Sequence, residues 1–257
     1  MSVPPLPRMT ELQAPPSWRS IEFISDLHLE AQQLATFDAW RAYMAGTAAD
    51  AVFILGDLFE VWVGDDLAQQ PGFASDCAAV IQATVQRVPV FLMHGNRDFL
   101  VGDGFIRSCG AVLLEDPTVL SFAGTRWLLT HGDALCLSDT SYMRFREQVR
   151  SPQWQSEFLT KPLEQRLAIG RALRAQSEAH KHAAMQYAQV DEDTARAWLT
   201  AADAQVMIHG HTHLPAEHDL GKGQRRIVLS DWDPTAQPPR QEVLRLSSAG
   251  VQRVVPT

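Results

Sequence analysis

Residues 51–57 have the sequence Ala-Val-Phe-Ile-Leu-Gly-Asp, an apolar run that ends in a glycine and a carboxylate. A continuous apolar run of this length is typical of a strand covered on both faces, as in a parallel sheet. In open α/β sheets, ligands bind beyond the carboxyl ends of the strands. The stretch therefore predicts a buried strand over 51–55 that presents Asp57 at a functional edge.

The same arrangement recurs at four other apolar segments, each followed at once by polar residues. These predicted strands cover 21–25, 89–93, 126–130 and 205–208. The five motifs are Asp26-Leu-His28, Gly56-Asp57, Gly95-Asn96, His131-Gly132 and Gly210-His211-Thr-His213. They offer two aspartates, one asparagine and four histidines, which is a ligand set for two divalent cations sharing one carboxylate. That set predicts hydrolysis of a phosphate ester or anhydride.

Each motif has an ordinary structural alternative when it is taken alone. An aspartate or Gly-Asn after a strand is common in turns, and a lone histidine is more often structural than a metal ligand. The joint pattern favours the metal site, because six of the nine histidines lie within or beside the motifs. These are His28, His94, His131, His209, His211 and His213. The amide oxygen of Asn96 suits Mn²⁺ or Mg²⁺, and the adjacent Arg97 could bind a phosphate through two hydrogen bonds.

The rest of the chain is predicted to surround this sheet edge. Helices are expected over 34–46 and 73–87, and 226–229, 241–246 and 251–255 are expected to be antiparallel strands of a second sheet. Residues 138–203 interrupt the strand pattern with four helical pieces, which we interpret as an inserted lid. The breaks fall near Ser151-Pro152, Lys161-Pro162 and Asp191; Ser138 or Asp139 is expected to cap the first helix, and Asp191 or Asp193 the last. Residues 1–20 are expected to be a flexible tail before a domain over 21–257.

Composition narrows the function further. The formal charge of −8 on 257 residues argues against nucleic-acid binding. No apolar run approaches the roughly 20 residues that span a bilayer, and the three scattered cysteines indicate a reducing cytoplasm. Residues 141–182 nevertheless carry eight Lys/Arg against four Glu, a local net charge of +4. This segment could contact an anionic substrate or membrane surface, or could simply be a solvated helix face.

The five motifs resemble the blocks of the calcineurin-like metallophosphoesterase superfamily, which run Asp-x-His, Gly-Asp, Gly-Asn-His, His and Gly-His-x-His. The match extends from about residue 22 to residue 232. The chain departs from most members at Arg97, where they carry a histidine. With this arginine, the segments 55–66, 131–136 and 209–215 and the helical insertion resemble one branch of the superfamily, which hydrolyses UDP-2,3-diacylglucosamine in lipid A biosynthesis.

The resemblance implies an α/β fold, a four-layer αββα sandwich with an inserted helical lid. It implies two Mn²⁺ ions per chain, attack at the α-phosphate, release of UMP and 2,3-diacylglucosamine 1-phosphate, and a peripheral position on the cytoplasmic side of the inner membrane. One ion would be bound by Asp26, His28, Asp57 and His213, and the other by Asp57, Asn96, His131 and His211. Catalysis would depend on Asp57, Asn96, Arg97 and His211, and the substrate head group would contact Asn96, Arg97, Asp139, Ser177, Lys181 and His211.

Three points stay open from the sequence. The branch has a lysine where this chain has Ala184, so Lys181 or His182 would have to replace it. The apolar lid residues could hold acyl chains or could pack on the core; they are Trp154, Phe158, Leu159, Leu163, Leu167, Ile169 and Leu173. The alternative functions are a phosphodiesterase or pyrophosphatase acting on soluble nucleotides and a scaffold without catalysis, although every metal-ligand position is filled. The sequence does not indicate an oligomeric state.

Overall fold

The computed structural model describes residues 5–184 and 189–256, without the side chains of 176–184. Within these residues the backbone forms twelve β-strands and seven α-helices. The strands are β1 (Thr10–Gln13), β2 (Ser20–Ile24), β3 (Ala51–Leu55), β4 (Val90–Met93), β5 (Val112–Leu114), β6 (Thr118–Phe122), β7 (Thr125–Leu129), β8 (Val206–His209), β9 (Ala216–Gly221), β10 (Gln224–Val228), β11 (Val243–Ser247) and β12 (Gly250–Val254). The helices are α1 (Leu34–Gly46), α2 (Phe73–Val85), α3 (Asp103–Cys109), α4 (Thr140–Val149), α5 (Pro152–Leu159), α6 (Leu163–Ala184) and α7 (Glu192–Ala201).

The strands form two six-stranded mixed sheets. The first has the order β12-β11-β2-β3-β4-β5, in which β2 to β5 are parallel. At one edge β11 pairs antiparallel with β2, and β12 pairs antiparallel with β11. The second has the order β1-β6-β7-β8-β10-β9, with β7, β8 and β10 parallel to one another. The parallel central strands bring several carboxyl ends to the same side of each sheet.

Three apolar clusters define four layers. Phe23 and Phe53 of the first sheet pack with Leu129 and Ile208 of the second sheet, so the two sheets face each other across one core. The outer face of the first sheet packs on α1, α2 and α3. The outer face of the second sheet packs on α7, mainly through Trp198 and Leu199. The predicted αββα sandwich is therefore confirmed.

Apolar runs form the central strands because both of their faces are buried. All five side chains of β3 are fully buried, and β4 and β8 are buried throughout their length. The five predicted strands that precede the motifs agree with the observed ones to within one residue at each end, and α1 matches its predicted bounds. The predicted strands 226–229 and 241–246 correspond to β10 and β11, whose starts differ from the prediction by two residues. Asp139 accepts a hydrogen bond from the backbone N–H of Tyr142, and Asp191 accepts one from Thr194, so both predicted caps are present.

Three sequence-based expectations need correction. Residues 10–13 form β1, which pairs with β6, so residues 1–20 are not a flexible tail throughout. The strands β11 and β12 join the first sheet beside β2 instead of closing the second. The helix α7 is a layer of the sandwich, so the lid proper comprises α4, α5 and α6.

The described residues contain no helix that is both long enough and apolar enough to cross a bilayer.

A buried carboxylate on β2 joins the first sheet to α1. Glu22 is 2% exposed and accepts hydrogen bonds from the Tyr43 and Thr47 hydroxyls at 2.9 and 2.7 Å. The guanidinium of Arg245 on β11 donates to it twice, from Nε at 2.9 Å and from Nη2 at 2.7 Å. The side chain of Glu22 thus connects β2 to α1 and β11, and the guanidinium of Arg245 balances its negative charge.

We expect Glu22→Gln to lower the free energy of unfolding by about 2 kcal/mol, because a neutral amide weakens the ion pair and presents an N–H₂ group to these donors. Urea unfolding followed by circular dichroism measures the change. Glu11→Gln is the control, since it removes an exposed ion pair with Arg126 and should change stability little. Equal effects of the two substitutions would contradict the structural role of Glu22.

Candidate metal centre

Seven polar side chains from both sheets meet at the carboxyl ends of parallel strands. Three of the segments that carry them follow β2, β3 and β4 of the first sheet, and two follow β7 and β8 of the second. The side chains belong to Asp26, His28, Asp57, Asn96, His131, His211 and His213. The structure thus brings together all seven residues that the sequence predicts as metal ligands.

One half of the centre contains Asp26, His28 and His213, whose ligand atoms lie within 4.8 Å of one another. The Nε2 atom of His213 is 3.1 Å from Asp26 Oδ1 and 3.2 Å from His28 Nε2. Such a contact between two ring nitrogens is favourable when a cation lies beside both of them. These residues could hold one divalent ion.

The other half contains Asn96, His131 and His211. The amide oxygen of Asn96 lies 3.0 Å from His131 Nε2 and 2.8 Å from His211 Nδ1. The opposite ring nitrogen of His131 donates to the carbonyl of Leu55 at 2.9 Å, which fixes the ring with Nε2 facing the centre. One oxygen and two imidazole nitrogens therefore converge on a second position.

Asp57 lies between the two halves. Its Oδ2 atom is 3.9 Å from His28 Nε2, and its Oδ1 atom is 3.7 Å from His131 Nε2. Each carboxylate oxygen faces a different half, as a bridging ligand requires. The side chain is 1% exposed, so water does not compete for these oxygens.

The backbone at the centre is closely packed and strained. A Cβ atom built on Gly95 would lie 2.1 Å from Asp57 Oδ1, and one on Gly56 would lie 2.5 Å from His131 Nδ1, so only glycine fits at these positions. Asp26, His28, Asp57, His211 and His213 all have positive φ, between 49° and 69°. Eight described non-glycine residues have a positive φ, and these are five of them. Such conformations typically cost about 1–3 kcal/mol each and cluster at functional sites.

The charges at the centre also suit a cation. Burial lowers the pKa of His28 to about 3, and burial together with His131 lowers that of His211 to about 3, so both rings are neutral and can bind a metal. Burial opposes ionisation of Asp26, but His213 holds the pKa of that carboxyl well below its usual range. Although burial disfavours the charged ring, Asp57 and Asp26 raise the pKa of His131 to about 9. A bound cation would take over the positive charge that the His131 ring otherwise supplies.

Glu60 links the centre to the lid. Its Oε2 atom is 3.0 Å from His28 Nδ1, and its Oε1 atom forms an ion pair with Arg174 on α6. The carboxylate is buried in the segment that follows β3. A carboxylate on the remote nitrogen of a ligand histidine orients the ring and raises its basicity. The same side chain therefore supports His28 and attaches the lid helix.

We expect Glu60→Gln to weaken metal binding by about 10–100-fold, since the amide cannot polarise the His28 ring as the carboxylate does. Titration of the metal-free protein with Mn²⁺ gives the affinity directly. The matched control is Asp66→Asn, which removes the ion pair of a second lid arginine, Arg166, without touching His28. A similar loss in both variants would mean that lid attachment, and not the orientation of His28, supports the metal.

A second buried carboxylate attaches the start of the lid. Asp133 is fully buried and accepts hydrogen bonds from the Tyr142 hydroxyl at 2.6 Å and from Arg146 Nε at 2.8 Å. Arg150 lies 3.5 Å from the same oxygen and donates to the carbonyl of Gly95 at 2.9 Å. The ring of Tyr142 stacks on His211, with centroids 5.9 Å apart. The helix α4 is thereby held against the centre.

The predicted substrate contacts are placed in different ways. Arg97 donates its backbone N–H to Asp57 Oδ1 at 2.8 Å, and within the described residues its buried Nε atom has no hydrogen-bond partner. Asp139 caps α4 with its carboxylate. Ser177 and Lys181 lie on the last part of α6, where the side chains are outside the described residues, as are those of His182 and Ala184.

Glu60, Asp133 and Tyr142 were not singled out from the sequence. Two of them offered a usable signal, because Glu60 follows Asp57 by three residues and Asp133 follows His131 by two. Tyr142 offered none, since its contact with His211 depends on how the lid folds back.

Comparison with known proteins agrees with this geometry. The family model described as calcineurin-like phosphoesterase matches residues 20–215. A UDP-2,3-diacylglucosamine hydrolase of Chromobacterium violaceum is 46% identical over 222 residues, covering 83% of this chain and 90% of that protein. The protein of the same name from Bordetella pertussis is 41% identical over 236 residues, covering 89% and 92%.

Among solved structures, an archaeal phosphodiesterase aligns over 92% of this chain and 99% of its own with 12% identity and a TM-score of 0.48. The family match and the two relatives each span most of the chain. The chain belongs to the calcineurin-like phosphoesterase family.

Proposed function

We propose that this protein hydrolyses UDP-2,3-diacylglucosamine at its α-phosphate, releasing UMP and 2,3-diacylglucosamine 1-phosphate for lipid A biosynthesis. The observation that carries the proposal is the position of Asp57, whose two oxygens face two separate groups of ligand atoms. The substrate follows from the relatives named above, of which the chain covers about nine tenths. The enzyme is accordingly a pyrophosphate hydrolase.

The donor atoms fit two divalent cations, for which we propose Mn²⁺. Oxygen and imidazole donors suit Mn²⁺, and no described cysteine lies among them. Asp26, His28, Asp57 and His213 would hold one ion, and Asp57, Asn96, His131 and His211 the other. When bound, the ions supply Lewis acidity and activate water for attack on phosphorus.

The chain's own residues would bind and orient the diphosphate. The backbone N–H of Arg97 donates to Asp57, and its side-chain Nε, which has no hydrogen-bond partner among the described residues, can donate to a phosphoryl oxygen and offset the charge that develops during attack. His211, held by Tyr142 and Asn96, faces the same space. The leaving sugar phosphate is already a stable anion, so little general-acid help is needed, which fits the presence of Arg97 in place of histidine.

The lid supplies apolar surface near the centre. Phe158 is buried in the core cluster, and Trp154, Leu163, Leu167 and Ile169 pack against it, so these residues attach the lid. Leu159 is 44% exposed and is available to an acyl chain. Each methylene that it or a neighbour covers contributes about 0.8 kcal/mol to binding. The acyl chains therefore contribute to affinity even though most of the predicted lid residues serve packing.

Hydrolysis in oxygen-18 water tests the reaction. With Mn²⁺ and UDP-2,3-diacylglucosamine, we expect label in UMP, because water attacks the α-phosphorus. Label in the sugar phosphate would contradict attack at that atom. A parallel assay with the deacylated UDP-sugar should show much lower kcat/KM; equal rates would instead favour a pyrophosphatase of soluble nucleotides, and no turnover with metal bound would favour a scaffold.

We also propose that the lid brings the protein to the anionic cytoplasmic surface of the inner membrane, where a diacylated substrate resides. Arg146, Arg150, Arg166 and Arg174 bind groups of the core, so they attach the lid. Arg144 and Arg171 are exposed and can face lipid head groups. Co-sedimentation with anionic vesicles should weaken as salt rises, and no co-sedimentation at low salt would contradict the proposal.

A further inference from the structure

A cavity of about 240 Å³ lies beside the second sheet, separate from the converging ligands. Its wall includes Thr212, which stands between His211 and His213, and Arg226 of β10. His218, opposite Arg226 in the β9–β10 pairing, also lines it. The cavity therefore shares one wall with the turn that carries two predicted metal ligands.

The buried arginine is the feature that requires an explanation. Arg226 is 4% exposed, and its Nη1 atom lies 3.3 Å from His209 Nε2. Among the described residues its Nε atom has no hydrogen-bond partner. No acidic side chain among them forms an ion pair with it, and Glu192, whose charge acts on Arg226, is itself 3.5 Å from Arg196. A buried cation without a counter-charge is costly, so such a group usually marks a missing anion or water.

The polar groups on the cavity wall point to a ligand of negative charge. Arg226, His218, the amide of Gln189 and the hydroxyl of Thr212 can all donate hydrogen bonds, and no described acidic residue lines the cavity. His218 and Arg226 are directly opposite each other on β9 and β10, and burial and the positive charge of Arg226 lower the pKa of His218. Val190 and Leu214 add an apolar wall. The donors suit an oxyanion, and the remaining space suits an organic group attached to it.

We infer that this cavity is a second binding site, which takes a phosphate group bound through Arg226 and His218. The guanidinium presents Nε and a terminal nitrogen side by side, the arrangement that pairs with two oxygens of one phosphate. The phosphate could be free or could belong to a nucleoside monophosphate, whose sugar would lie against the apolar wall. Because Thr212 belongs to the wall, occupancy of the cavity bears directly on the turn that carries His211 and His213. The inference does not depend on the reaction proposed above.

Calorimetric titration of the Mn²⁺-loaded protein with inorganic phosphate tests the site. We expect two classes of phosphate binding, one at the metal centre and one at the cavity. Arg226→Met should weaken the second class at least about tenfold while keeping the first, because it removes the charged hydrogen bonds but keeps much of the apolar length. Arg225→Met is the matched control, since it removes an exposed charge from the same strand and should keep both classes.

Titration with UMP in the same proteins separates the two sources of the phosphate. Tighter Arg226-dependent binding of UMP than of inorganic phosphate assigns the site to a nucleoside monophosphate, and the reverse order assigns it to free phosphate. If Arg226→Met does not fold, His218→Ala and Arg226→Lys should each weaken the second class. The inference would be overturned if the titration showed a single class of phosphate binding that Arg226→Met, or these two variants, left unchanged. This outcome does not depend on whether the protein hydrolyses UDP-diacylglucosamine.

Discussion

Replacing Asp57 by asparagine is expected to reduce hydrolysis by roughly 10³-fold or more and to leave the protein with at most one tightly bound ion. The two oxygens of Asp57 face the two halves of the centre. Asparagine keeps the size of the side chain and one carbonyl oxygen. It replaces the other oxygen with an N–H₂ group, which cannot bind a cation and would point a positive dipole at one half.

Metal content measured by mass spectrometry after gel filtration, together with kcat for UDP-diacylglucosamine, checks this prediction. Glu22→Gln is the matched control, because it also neutralises a buried carboxylate of the first sheet but lies away from the centre. It should keep both ions and near-normal kcat at temperatures where it remains folded. An Asp57→Asn enzyme with two ions and ordinary turnover would show that the carboxylate is not shared.

The second large effect is expected at Arg97. Its Nε is buried without a partner within the described residues, while its backbone is fixed by hydrogen bonds to Asp57 and from Trp62. Burial and His213 lower the pKa of His28, and the guanidinium charge of Arg97 lowers it further. We expect Arg97→Met to lower kcat/KM by about 10²–10³-fold, mainly through kcat, because charge on the phosphoryl oxygens is greatest in the transition state.

Steady-state kinetics on a substitution series separates charge from geometry at this position. Arg97→Lys should recover only part of the loss, since an ammonium group cannot bind two oxygens side by side. Arg107→Met removes an exposed arginine of α3 and should leave kcat/KM unchanged. Full activity and substrate affinity in Arg97→His would contradict the phosphate-binding role of Arg97. It would also contradict the idea that arginine replaces histidine here because the leaving phosphate needs little general-acid help.

The central strands were predictable because burial on both faces imposes a strong pattern. Residues 51–55 are apolar throughout for that reason, and the polar residues after them mark the sheet edge. The edge strand β1 alternates half-buried and exposed residues and contains Glu11, so nothing in its composition distinguishes it from a tail. The strands β11 and β12 were recognisable as strands, but alternation does not show which sheet they join. Their position depends on residues 230–242 leading the chain back to β2.

The side chains at the centre were easier to predict than those that support it. Metal-ligand chemistry limits the residue types, and the order of motifs along parallel strands places them together. In the sequence, Glu60 and Asp133 are distinguished only by their closeness to Asp57 and His131, and the packing of α6 and α4 gives them their arginine partners. The packing of the lid also explains why the sequence suggested a basic surface there. Four of the lid arginines, Arg146, Arg150, Arg166 and Arg174, bind groups of the core.

The left-handed backbone of the five candidate ligand residues has a consequence for engineering this enzyme. A selection for heat resistance in chelating buffer would favour glycine or asparagine at His28, His211 and His213 wherever the relief of conformational cost exceeds the contacts that the imidazole ring makes without an ion. The variants selected in this way would be thermally stable but catalytically inactive. Variant libraries of this protein should therefore be screened with the ions bound, so that stability and turnover are selected together.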